Sequence, residues 1–108
     1  LPKLRSGNEP FVVTISGVIS EQPMSGLSAY SASKTALAGF ATAAAKELRK
    51  DGIVVLDARP GHTESGLASR AIFGMAPNFG VGKSVPDVVG RILDGLASGE
   101  KDLPSSAF

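Results

Sequence analysis

Residues Ala29–Lys50 read "AYSASKTALAGFATAAAKELRK", a proline-free run flanked on both sides by short apolar segments. Leu37, Phe40, Ala41, Ala44 and Leu48 recur at three- and four-residue spacing, which predicts a helix with one apolar stripe. A second line of small residues, Ala29, Ala32, Ala36, Gly39 and Ala43, lets another element approach closely. The helix is therefore expected to pack on more than one side. Ser28 stands where an N-cap is needed, and Asp51 and Gly52 close the segment.

Before this segment, "PFVVTIS" is a β-branched run bounded by Pro10 and Gly17, which predicts a strand near 11–16. "GVISEQPMSGLS" has the Ser, Gly and Pro density of a loop. On the other side, "GIVVLDARPG" predicts a strand at about 53–58, closed by Pro60 and Gly61. Two apolar strands joined by a helix make a crossover unit with parallel strands, so the fold class is α/β. Residues 62–83 are glycine-rich and weakly periodic, and read as a long loop with room for a short helix around 65–72. Pro86–Ala97 predicts a second helix, with Ser84 near its cap, Pro86 in its first turn and Gly99 just past its end. Val88, Val89, Ile92, Leu93 and Leu96 supply its apolar face, and "DLPSSAF" leaves space for one last strand.

The chain has 108 residues, 43% hydrophobic and 19% charged, which suits one domain spanning 1–108 with a single core. Eleven basic against ten acidic residues give a net charge of +1, without a basic block, which argues against nucleic-acid binding. Zero cysteines exclude disulfides and thiolate metal sites, and one histidine makes an imidazole metal site improbable, so no metal is expected. No apolar run reaches the roughly 18 residues of a membrane span, and no signal-peptide core opens the chain. A cytoplasmic location is expected. Leu1 in place of methionine points to a fragment, a processed product or an incomplete sequence.

The single tyrosine, Tyr30, precedes Lys34 by one helical turn, so both side chains share a face at the helix start. An ammonium about 5 Å from a phenol, at an effective dielectric of about 20, favours the phenolate by roughly 3 kcal/mol. A phenol so placed is suited to exchange a proton near neutral pH. Tyr-x-x-x-Lys alone is weak, because the spacing recurs by chance.

Context strengthens it. A strand ending in "TISG", a loop of about a dozen residues, "AYSASK" opening an Ala-rich helix, then a strand ending in "RPG" with hydroxyls beyond, resembles the short-chain dehydrogenase/reductase family. The resemblance runs from about Phe11 to Ser98. It implies the C-terminal part of a Rossmann-like doubly wound parallel sheet, ordered strand, helix, strand, loop, helix. It implies an NAD or NADP cofactor and a small carbonyl or alcohol substrate. Tyr30 would be the catalytic acid/base, while Lys34 would ease its ionisation and hydrogen-bond the nicotinamide ribose. Pro60 and Gly61 match the family's motif after the last core strand. Ser65 would hold the carboxamide, with Thr63 contributing through its backbone, and residues 62–83 would form the substrate loop. His62, in the same region, reads as a solvated loop histidine.

The pattern also breaks. The family's serine thirteen residues before the tyrosine is Gly17 here. Ser20 or Ser16 could substitute; Ser16 would alternate to the opposite face of a regular strand, so Ser20 is the better candidate. Without a substitute, a lost oxyanion-type donor costs roughly 3 kcal/mol, or about 10² in rate. Residues 1–10 hold no counterpart of the family's glycine-rich dinucleotide turn, which places the pyrophosphate on backbone amides and a helix N-terminus. "FGVGKS" at 79–84 ends like a P-loop, but Pro77 stands where the motif requires glycine. The isolated chain is therefore expected to be inactive. The alternative is a non-catalytic remnant or interaction module that self-associates through helix 29–50, and a homo-oligomer is expected under both readings.

Overall fold

The computed structural model describes residues 2–64 and 80–108. After a short helix α1 (Pro2–Ser6), strand β1 (Phe11–Ile15) leads through a 3-10 turn (Val18–Ser20) into α2 (Ser28–Leu48). A second 3-10 turn (Arg49–Asp51) precedes β2 (Val54–Ala58). Helix α3 (Val85–Ser98), strand β3 (Asp102–Leu103) and a last 3-10 turn (Ser105–Ala107) complete the order. The sheet runs β1-β2-β3 and is parallel throughout, with Phe11 facing Val54 and Ile15 facing Ala58 across β1 and β2. This is the expected α/β arrangement.

Side-chain alternation along the strands builds the layers. Val12 and Val55 point to one face, where Ala41, Ala44, Ala45 and Leu48 of α2 cover them. Val13, Leu56 and Ala58 point to the other face and meet Val88, Ile92 and Leu96 of α3, with Leu103 of β3. The two helices thus lie on opposite faces, as in a doubly wound sheet.

Element ends follow their local chemistry. Ser84 caps α3, its Oγ accepting from the Asp87 N–H at 3.2 Å, and Gly99 at φ 80° closes that helix in the left-handed region where glycine is at no disadvantage. Several expectations need correction. Ser28 is the first residue of α2 rather than its cap; Leu27 holds the cap position with no side-chain bond. The nearby hydroxyl with a bonding role is Ser31, whose Oγ accepts from the Met24 N–H at 3.2 Å and ties the preceding loop down. Phe40, assigned to the apolar stripe, is 60% exposed, and Val89 and Leu93 also face outward. The small-residue line of α2 is uncovered along its length. Helix α1 has too few residues to show a period, and sequence reading assigned it no element. The short helix expected around 65–72 lies outside the described residues.

Candidate active site

The carboxyl ends of β1 and β2 run together beyond the sheet. The Gly17 N–H donates to the Ala58 carbonyl at 3.2 Å, and the Val18 N–H to the Pro60 carbonyl at 3.0 Å. The Gly17 and Pro60-Gly61 turns therefore sit side by side. In parallel α/β sheets this is the end where ligands bind.

Helix α2 brings Tyr30 and Lys34 to that end. Lys34 Nζ donates to the Ile15 carbonyl, the last of β1, at 2.9 Å, and stands 5.8 Å from the centroid of the Tyr30 ring. The strand thus fixes the ammonium and the helix period fixes the phenol beside it. Tyr30 is 42% exposed, so water screens their attraction more than it would in a buried pair.

Gly17 has φ 81° and ψ 164°, a backbone region that only glycine visits readily. The two candidate serines differ. Ser16 is 0% exposed and its Oγ donates to Asp57 Oδ2 at 2.7 Å. Ser20 is half-buried in the loop; its Oγ lies 2.7 Å from the Gly17 carbonyl and 3.3 Å from Ser16 Oγ, with one proton for both. Thr63 Oγ1 donates to the Gly61 carbonyl at 3.1 Å, and Ser65 lies outside the described residues.

Residues 62–83 are tied at their base. Thr63 and Lys83 form a parallel bridge, with the Glu64 N–H on the Lys83 carbonyl at 2.8 Å and the Lys83 N–H on the His62 carbonyl at 2.9 Å. Gly82 packs so closely on His62 that a Cβ would overlap its carbonyl. The "FGVGKS" stretch therefore has Gly82 in a packing contact and Ser84 in a cap. His62 is no isolated solvated group: its Nε2 pairs with Glu64 Oε1 at 3.3 Å.

Sequence reading missed the charged network beside this end of the sheet. Buried Asp57, in β2, accepts from Thr14 Oγ1 and Ser16 Oγ, each at 2.7 Å, and from Arg59 Nη1 at 2.9 Å. Arg59 also donates through Nε to Glu21 Oε2 at 2.7 Å, and through Nη1 and Nη2 to the two oxygens of Asp102 at 2.8 Å. Its hydrogen bonds to Asp102 above all raise its proton affinity beyond that of an ordinary arginine, against the effect of burial. Glu21 further accepts from Ser105 Oγ at 2.6 Å and the Ser105 N–H at 3.0 Å; Ser105 first and Arg59 next hold its carboxyl below the usual range. The available signal was an aspartate inside the apolar run "VVLDA".

Residues 1–72 match the family described as short chain dehydrogenase. The chain belongs to that family. Within this short-chain dehydrogenase family it is 33% identical, over 110 residues, to the "Dehydrogenase/reductase SDR family protein 7-like" of Anopheles gambiae, covering 95% of this chain and 35% of that protein. Among solved structures it is similar to a short-chain dehydrogenase from Sphingobium yanoikuyae in complex with NADPH, with TM-score 0.81 and 24% identity, covering 95% of this chain and 40% of that one. It is also similar to a 4-hydroxyisoleucine dehydrogenase complexed with NADH, with TM-score 0.67 and 22% identity, covering 89% and 44%. At those identities the structural likenesses show the fold. The chain spans about a third of the curated relative and about two fifths of the solved ones.

Proposed function

We propose that this chain is the catalytic part of an NAD- or NADP-dependent oxidoreductase that interconverts an alcohol and a carbonyl. The observation that carries the proposal is the Tyr30–Lys34 pair, anchored by the Ile15 carbonyl at the carboxyl end of a parallel sheet. Family membership and the NADPH and NADH complexes of its structural neighbours support it.

The donors present fit the nicotinamide-ribose end of a dinucleotide. With one of its three N–H groups on Ile15, Lys34 keeps two for ribose hydroxyls. Leu1–Pro10 has no glycine-rich turn to hold a pyrophosphate, so the phosphate end is assigned to no residue of this chain. When bound, the dinucleotide supplies or accepts the hydride. Tyr30 gives its phenolic proton to the alkoxide oxygen in reduction and takes it from the alcohol in oxidation. Ser20 is the polarising hydroxyl, exchanging its bond to the Gly17 carbonyl for one to the substrate oxygen; Ser16, fully buried on Asp57, is the weaker substitute. The Pro60-Gly61 turn, Thr63 and Ser65 would border the nicotinamide, and the segment 62–83 would be the substrate loop.

The test is oxidation of NADH and NADPH by the natural protein with a panel of aldehydes and ketones. Wild-type turnover with at least one pair, strongly reduced by Lys34→Ala, supports the reading; no turnover across the panel in folded protein overturns it.

A second reading is favoured by one observation: Phe40 is 60% exposed beside the uncovered Ala36, Gly39 and Ala43 on α2. In it the chain is a self-associating, non-catalytic module. Self-association through α2 is proposed under both readings, as is a cytoplasmic location. Phe40→Lys should shift the oligomer to a smaller species in sedimentation, and an unchanged mass would rule this face out.

A further inference from the structure

Arg59 lies immediately before the Pro60-Gly61 turn and grips three carboxylates on three separate segments: Asp57 in β2, Asp102 in β3, and Glu21 in the loop between β1 and α2. Glu21 follows Ser20 directly. Around it, the loop is fastened at its entry by the Gly17 and Val18 amides and at Met24 by Ser31 Oγ. Between those points the chain is held by buried Ile19, by the 3-10 turn, whose Ser20 N–H and Oγ donate to the Gly17 carbonyl and whose Glu21 and Gln22 N–H donate to the Val18 carbonyl, and by the Glu21 carboxylate, which alone of these reaches a distant segment. Glu21 is also held from the far end of the sequence, by the hydroxyl and N–H of Ser105 beyond β3.

The chemistry suits a fastener. Guanidinium–carboxylate bonds are charge-assisted and directional, and the planar fork on Asp102 fixes the plane in which Nε meets Glu21. A lysine would keep the charge but supply no fork. A structural ion pair needs no partner in a functional loop; this one ends on the residue next to the candidate polarising hydroxyl.

We infer that Arg59 is a positioning residue, with Glu21 as its arm and Ser105 as a second anchor, that sets where the Ser20 hydroxyl stands at the active-site end of the sheet. This rests on the proposed role of Ser20. Arg59 touches neither reactant; it acts through the loop.

Two measurements on the natural protein test it. The first is independent of activity: amide hydrogen exchange across residues 18–22. Glu21→Ala removes the loop's arm while leaving Arg59 on Asp57 and Asp102, and should speed exchange there by about tenfold or more, with β2 unchanged. Arg59→Lys should do the same; if it does not fold, Glu21→Ala alone decides. Unchanged exchange at 18–22 overturns the inference. The second is a double-mutant cycle on turnover. Glu21→Ala should lower kcat without raising the KM for the nicotinamide dinucleotide, and adding it to Ser20→Ala should cost nothing further. Additive losses, or a loss confined to that KM, overturn the positioning role. Tyr30→Phe separates the two claims: if it leaves turnover intact, the catalytic reading fails, whereas if it abolishes turnover while Ser20→Ala and Glu21→Ala remain additive, only the Arg59 inference fails.

Discussion

A hydroxyl cannot simply be restored at position 17. Gly17 has φ 81° and ψ 164°, where a side chain is strained whatever the space around it. Gly17→Ser is therefore expected to cost on the order of 1–3 kcal/mol of stability, read as a lower urea midpoint, without raising turnover. A gain in turnover would show that the loop can readopt the conformation the family's serine needs. Asp57 is the opposite case, a buried carboxylate with three partners. Asp57→Ala should destabilise by about 3–5 kcal/mol, because Arg59 loses a buried counter-charge and two hydroxyls lose their acceptor. Tyr30 and Lys34 were legible in the sequence because helical spacing alone puts them on one face. Asp57 and Arg59 were not, because strand pairing brings Thr14, Ser16 and Asp102 to them from distant positions.

The helices show what periodicity can and cannot resolve. The bounds of α3 were legible because each end carries its own punctuation: Ser84 accepting from Asp87, Pro86 in the first turn, Gly99 beyond the last. Ser84→Ala should cost about 1 kcal/mol, checked by the same urea midpoint. The faces were less legible. Spacing placed Phe40, Val89 and Leu93 with the core, yet all three face outward, since a helix on a three-stranded sheet buries a narrower stripe than its sequence offers. Phe40→Ser should change the stability of the dissociated monomer, measured at high dilution, by no more than about 0.5 kcal/mol. The cap of α2 was misplaced for a local reason: a serine at each of positions 25, 28 and 31 competes for that role, and only contacts decide between them.

At the level of the whole chain, Glu21 joins distant segments by holding Ser105 and Arg59, and Glu100 closes a local link to Arg91. Both are held below the usual carboxylate range, Glu21 chiefly by Ser105 and Glu100 chiefly by Arg91. Between the lowered folded values and the ordinary carboxylate pKa, the unfolded chain binds more protons than the folded one. Their contribution is therefore complete above the ordinary carboxylate pKa and lost as pH falls through the lower folded values. The urea midpoint should drop over that acid window, and drop less in Glu21→Ala. Elsewhere Phe11 and Ile15, on the α3 face of β1, remain 52% and 49% exposed, so the 108 residues alone should self-associate. In the proposed reaction Tyr30 moves the proton. The most direct measurement is turnover of the natural protein with NADH or NADPH and its best carbonyl partner, compared with Tyr30→Phe at matched folding. Tyr30→Phe should lower turnover by about 10²–10⁴-fold; a Tyr30→Phe protein that turns over at the wild-type rate would show that Tyr30 does not carry the proton.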